Sequence, residues 1–240
     1  MAKLRIFCAA AVLAMILGFV PAAQAQQQMF SLSYWPASVT CCGGGGTWNT
    51  GFIVLDYSGV FHGPFGLRAN YSFGSQGNWG GGWAGTVSGN DVIWSVDAFW
   101  QRSMANSTIR AFAGYGSMEY NSNFTAAVQT ETWRATGYRL GGEVIITTAG
   151  PLAFVGSVAW YPSMGVAFQN DSGGGFTTGG TATGVDWQAL AVWRPQGGNW
   201  GLSAGYRGAS FSCTNATGGC FVIGEGMNWS GFIVGVTFSQ

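Results

Sequence analysis

Much of this chain alternates apolar residues with small or polar ones at a period of two. In 91–101, Val92, Trp94, Val96, Ala98 and Trp100 fall on one face, and Ile93, Ser95, Asp97, Phe99 and Gln101 on the other. That period marks a strand, whose successive side chains point to opposite faces. The pattern returns at 67–74, 109–116, 138–146, 152–160, 185–194, 200–207 and 231–238. Two less regular candidates, 30–34 and 50–61, precede these. Ten strands are expected, with eight or twelve as alternatives. The connections alternate in length. Long ones fall at 37–48, 75–90, 119–136, 162–184 and 212–228, and short ones at 62–66, 102–107, 147–151 and 194–199. Alternating long and short connections describe an up-and-down antiparallel meander. An even strand count brings both ends of it to the short-turn side.

The two faces differ in chemistry. One carries mostly Gly, Ser, Ala and Thr, with isolated charges of mixed sign: Arg68, Asp97, Arg110, Arg139, Glu143, Asp186 and Arg207, with Asp56 as a further member. The other face has no charge in any strand whose register can be read. A soluble barrel would turn its apolar face inward and need charge outside. An uncharged face over eight strands suits lipid, with the charges lining the inside. Aromatics support this. Trp100, Trp193, Trp200, Phe61 and Phe238 lie at the short-turn ends. Trp94, Tyr115, Tyr138, Trp160, Trp187, Tyr206 and Trp229 lie toward the long connections, giving two belts. The expected fold is therefore all-β, a closed up-and-down transmembrane β-barrel over 26–240.

Composition sharpens the picture. Only 8% of the 240 residues are charged while 48% are hydrophobic, and glycine accounts for 41. A soluble domain averages about 25% charged residues. At the N-terminus, Lys3 and Arg5 precede an apolar run, 8–20, too short to span a bilayer as a helix. Pro21 and Ala23-Gln24-Ala25 follow, so 1–25 reads as a signal peptide cleaved after Ala25. The remaining chain has no lysine, and seven arginines against nine acids. That excludes a P-loop or Schiff-base lysine. It also argues against nucleic acid as a partner, because binding it takes a basic patch.

Together these features resemble the small outer-membrane β-barrels of Gram-negative bacteria. The closing segment Phe232-Ile233-Val234-Gly235-Val236-Thr237-Phe238 resembles their assembly signal, although Ser239-Gln240 follow the last aromatic. The resemblance implies an outer-membrane location with extracellular long loops and periplasmic short turns and termini. It also implies insertion by a barrel assembly machine, and lipid and lipopolysaccharide as surroundings.

Four cysteines follow the signal: Cys41, Cys42, Cys213 and Cys220. All fall in the first and last long connections, which are neighbours in a closed barrel. A local Cys213–Cys220 bridge is favoured. Cys41–Cys42 as a vicinal bridge, cross-links between the two connections and a zinc site are the alternatives, with disulfides suiting an oxidising compartment. The glycine clusters at 43–46, 80–82 and 173–175 read as surface loops. His62 is the only histidine and sits in a short turn. Ten strands also match the omptin proteases, but their chemistry needs histidine and carboxylates at the outer rim. This chain has no Asp-x-Asp or Asp-x-His pair, so it reads as a non-enzyme without cofactor.

Two functions remain. One is a narrow porin-like channel for small solutes or ions, with inward glycines (Gly114, Gly116, Gly141, Gly201, Gly205, Gly231, Gly235) making room and the arginines selecting. The other is a structural or adhesive barrel with a plugged polar core, binding surface ligands through aromatic loops (Trp79, Trp83, Phe124, Trp133, Phe176).

Overall fold

A computed structural model describes residues 27–41, 46–80, 87–124, 129–170, 177–196, 198–215 and 226–239. The segment 1–25, Cys42, Cys220, Trp83 and Phe176 lie outside the described residues. Ten strands form one closed antiparallel barrel: β1 (Gln27–Cys41), β2 (Gly46–His62), β3 (Phe65–Gly80), β4 (Val87–Met104), β5 (Ser107–Phe124), β6 (Gln129–Thr147), β7 (Leu152–Asn170), β8 (Thr177–Trp193), β9 (Trp200–Cys213) and β10 (Gly226–Ser239). Each pairs with its chain neighbours, and β1 closes on β10 from Met29↔Ser239 to Cys41↔Met227. That ladder is interrupted between Tyr34 and Ser38, around Pro36, which has no N–H to donate. In the β2–β3 turn Gly63 takes the left-handed φ of 54° that a two-residue hairpin needs.

The strands are longer than the sequence pattern implies. They run to 14–19 residues, whereas crossing a bilayer takes about 10. The expected long connections are therefore mostly strand. β3 continues to Gly80, β5 to Phe124 and β7 to Asn170. Trp79, Phe124 and Trp133 are strand residues, as are Cys41 and Cys213, which were expected in loops. The pattern failed there because apolar residues on these extensions face inward and polar ones face out, the reverse of the lipid-level order.

At lipid level the outward side chains are apolar and exposed, including Leu32, Ile53, Leu67, Val96, Ile109, Leu140, Val158, Leu202 and Val234. One aromatic girdle runs toward the long connections. Tyr115 lies 5.3 Å from Tyr138 and 6.2 Å from Trp94, and Tyr206 lies 5.7 Å from Trp187 and 5.2 Å from Phe232. At the other end Trp193 meets Trp200 at 5.9 Å. Trp229 does not belong to the girdle. It points inward and is fully buried, and Phe232 holds the outward position. Beyond the girdle the outer face does carry charge: Arg134 Nε lies 2.7 Å from Glu119 Oε2 across β5 and β6. Charge is tolerated there because the surface has left the apolar band.

Candidate functional site in the barrel lumen

The inward face is built in layers. The middle layer holds all seven charged residues that the sequence pattern turned inward. Arg110 Nη1 lies 2.9 Å from Glu143 Oε1, and Glu143 Oε2 lies 3.4 Å from Arg68 Nη1. Arg68 Nε reaches Asp97 Oδ2 at 3.3 Å, and Arg139 Nε reaches Asp97 Oδ1 at 3.0 Å. Arg139 Nη1 reaches Asp186 Oδ2 at 3.2 Å, and Arg207 Nη2 is 3.7 Å from the same oxygen. Arg207 Nη2 also donates to Asn70 Oδ1 at 2.9 Å. Asn70 Nδ2 in turn donates to Asp56 Oδ1 at 2.5 Å. One polar chain thus links β5, β6, β3, β4, β8, β9 and β2. Four arginines face four carboxylates, so the layer is neutral as it stands.

Two of these links cross the lumen instead of following the wall. Arg68 on β3 meets Glu143 on β6, and Arg207 on β9 meets Asn70 on β3. Aromatic rings fill the gaps between the guanidiniums. Arg68 lies 4.4 Å from the Phe112 ring centroid, Arg110 4.7 Å from Phe99 and Arg207 4.9 Å from Trp35. Inward glycines make this packing possible, but their room is already taken. A Cβ on Gly141 would meet the Phe112 ring, and one on Gly114 would meet Asp97 Oδ1. The expected open space at these two glycines is therefore filled by neighbouring side chains.

Toward the long connections the lumen is apolar. Trp35, Phe52, Ile93, Met118, Tyr161, Met164 and Trp229 are fully buried directly beyond the charged layer. Further out, Trp48 packs on Tyr120 at 5.2 Å, Tyr120 on Trp133 at 5.3 Å and Trp133 on Phe168 at 5.5 Å. Sequence reasoning missed this plug, because it placed Trp48, Tyr120, Trp133, Met164 and Phe168 in the long connections and Trp229 in the girdle. It also missed the polar knot inside the plug. Asp91 is fully buried and accepts from Thr50 Oγ1 at 2.6 Å, Gln76 Nε2 at 2.8 Å and Trp229 Nε1 at 3.2 Å. Ser122 Oγ donates to Gln76 Oε1 at 2.7 Å. Burial pushes the Asp91 carboxyl above its ordinary range, and these hydrogen bonds pull part of the way back. The parity of 91–101 already turned Asp91 inward; the missing signal was that Gln76, expected in the 75–90 connection, continues β3.

Toward the short turns the lumen is open. A cavity of about 90 Å³ runs from the charged layer to the rim. Arg68, Arg110 and Glu143 floor it, and Ile145, Val155, Leu190 and Val192 form one wall. His62 ends β2 at this same end and is exposed.

No family model matches the chain, and no curated protein does. Solved structures match its fold. The outer membrane protease OmpT from Escherichia coli is 10% identical, with 92% of this chain and 99% of that one covered, at a TM-score of 0.58. A major outer membrane protein from Thermus thermophilus is 12% identical over 89% of this chain and 99% of that one, at 0.41. Neisserial surface protein A is 9% identical over 88% of this chain and 95% of that one, at 0.41. At this identity the likeness to OmpT is one of architecture: the chain has the fold of an outer-membrane β-barrel.

Proposed function

We propose that the chain works in the outer membrane as a closed barrel, and that it acts through its long-connection end and not as an open pore. The observation that carries this reading is the filled lumen. Arg68–Glu143 and Arg207–Asn70 cross it, and Trp35, Phe52, Met164 and Trp229 are buried above them. An ion would have to displace paired charges and fully buried rings, which is costly in a low-dielectric interior. Reconstituted mature protein in a planar bilayer should give no current steps, while protection from protease confirms insertion. Regular discrete steps would overturn the closed reading.

The channel reading keeps one observation in its favour, the cavity on the short-turn side. It needs the aromatic plug to move. A variant with Trp35, Met164 and Trp229 all changed to alanine would conduct if the plug alone were the gate.

The remaining expectations belong to this proposal. Residues 1–25 direct export, the assembly machine inserts the chain, the long connections face outward, and lipid and lipopolysaccharide surround the apolar band. The cysteines are paired as disulfides; neither Cys41 nor Cys213 has a free sulfur, which supports this. The barrel is non-catalytic, a reading supported by His62 lying at the short-turn end, far from the aromatic plug. Cleavage of peptide libraries by the reconstituted protein would overturn it.

A further inference from the structure

The short-turn cavity has two unlike walls. Ile145, Val155, Leu190 and Val192 on β6, β7 and β8 present apolar surface, whereas Ser31, Ser33 and Ser58 on β1 and β2 present hydroxyls. Toward the long connections the inward apolar residues pack on one another, whereas these line open space. Water gains little from such a wall, and a hydrocarbon body would release it.

The charges of the cavity are also unbalanced. Arg68, Arg110, Arg139 and Arg207 are matched within the charged layer by Asp56, Asp97, Glu143 and Asp186. Arg194, which follows β8 and lines the cavity at its rim, has no carboxylate partner among the described residues. Among the described residues its side-chain hydrogen bond runs from Nη2 to the thioether of Met29, at 3.6 Å, a poor acceptor for a guanidinium. Deeper in, Arg207 is almost wholly buried, yet its Nε and Nη1 have no hydrogen-bond partner among the described residues. It lines a smaller pocket that shares Asp56, Arg68 and Gln188 with the cavity. The cavity therefore offers an apolar wall, a rim cation without a counter-ion among the described residues and guanidinium donors in reserve.

We propose that this cavity is a binding site for a small amphipathic monoanion. Its anionic head pairs with Arg194, and its apolar body lies against Val155, Leu190 and Val192. The site is separate from the long-connection end and does not depend on whether the barrel conducts. A guanidinium presents a planar fork of donors that suits a carboxylate. The apolar wall excludes fully polar solutes of the same charge.

The test uses the mature protein in lipid nanodiscs with 6,6,6-trifluorohexanoate as the probe, read by fluorine NMR against empty nanodiscs. Saturable binding to the protein discs is expected. The matching trifluorohexylammonium and trifluorohexanol should bind at least about tenfold more weakly, the size of one lost charge-assisted hydrogen bond. Arg194→Gln should weaken the carboxylate by a similar factor, and Arg194→Lys should restore part of it. Leu190→Trp should abolish binding by filling the cavity while leaving the fold and the conductance record unchanged. Equal affinity for the ammonium probe, or for R194Q and the parent, would overturn the assignment of the head. A signal no different from empty nanodiscs would overturn the site.

Discussion

Arg139 on β6 reaches over β5 to Asp97 on β4: its Nε stands 3.0 Å from Asp97 Oδ1, and both side chains are buried. The residue of β5 in register with both is Gly114. Only a residue without a side chain lets the pair close above it. A Cβ there would collide with Asp97 Oδ1 and with the Val96 carbonyl. Gly114→Ala should therefore destabilise the barrel by about 1–3 kcal/mol, the usual cost of overpacking. Urea unfolding in lipid vesicles measures it. A change within error would mean the pair shifts aside freely.

Asp97 holds two guanidiniums at once, Arg68 and Arg139. Asp97→Ala leaves both buried and partly unpaired. The expected loss is about 3–5 kcal/mol, because an uncompensated buried charge costs more than the pair contributed. Changing Arg139 to Met in the same chain should recover part of that loss. Strict additivity of the two substitutions would contradict a coupled layer.

The lipid face gives a test of depth. Val96 lies between the girdle residues Trp94 and Trp100 and is exposed, whereas Thr40 is outward on the same barrel beyond Tyr34. Val96→Arg should cost about 2–4 kcal/mol and Thr40→Arg about 0–1 kcal/mol. Equal costs would move the apolar band away from where the girdles put it.

Asp91 lies beyond the girdle, three residues past Trp94. Burial lifts its carboxyl above the ordinary 3.8. A carboxyl whose folded value exceeds its unfolded one is stabilised when protonated. Its contribution is therefore most favourable below pH 3.8 and is lost as pH rises through the folded value. The parent's own profile sums every titrating group. The difference between the parent and Asp91→Asn isolates it. Relative to Asp91→Asn, the parent should lose stability with rising pH across that interval. A flat difference would mean that its hydrogen bonds cancel the burial.

If the cysteines are paired, iodoacetamide should leave Cys41 and Cys213 unmodified in the folded protein until a reductant is added. Reduction should then lower stability by about 2–5 kcal/mol. Peptide mapping by mass spectrometry identifies each partner. Labelling before reduction would show free thiols.

Alternation alone carried a great deal: an expectation of ten strands within eight to twelve, the meander, the lipid face and the inward position of Arg68, Asp97, Arg110, Arg139, Glu143, Asp186 and Arg207. This was legible because a strand's side chains alternate whatever the fold, and lipid admits no unpaired charge. Local pattern could not say which charges meet. Arg68 finds Glu143, and Arg207 finds Asn70, across a lumen whose width and register only closure sets. Nor could it find the plug. Beyond the girdle the apolar residues turn inward and the polar ones outward, so Trp133 reads as loop and Trp229 as girdle until the barrel wall is seen to continue past the membrane. The strand period is the same above and below that level. What changes is the medium outside, and its boundary is fixed by ten strands acting together, which no single stretch of sequence records.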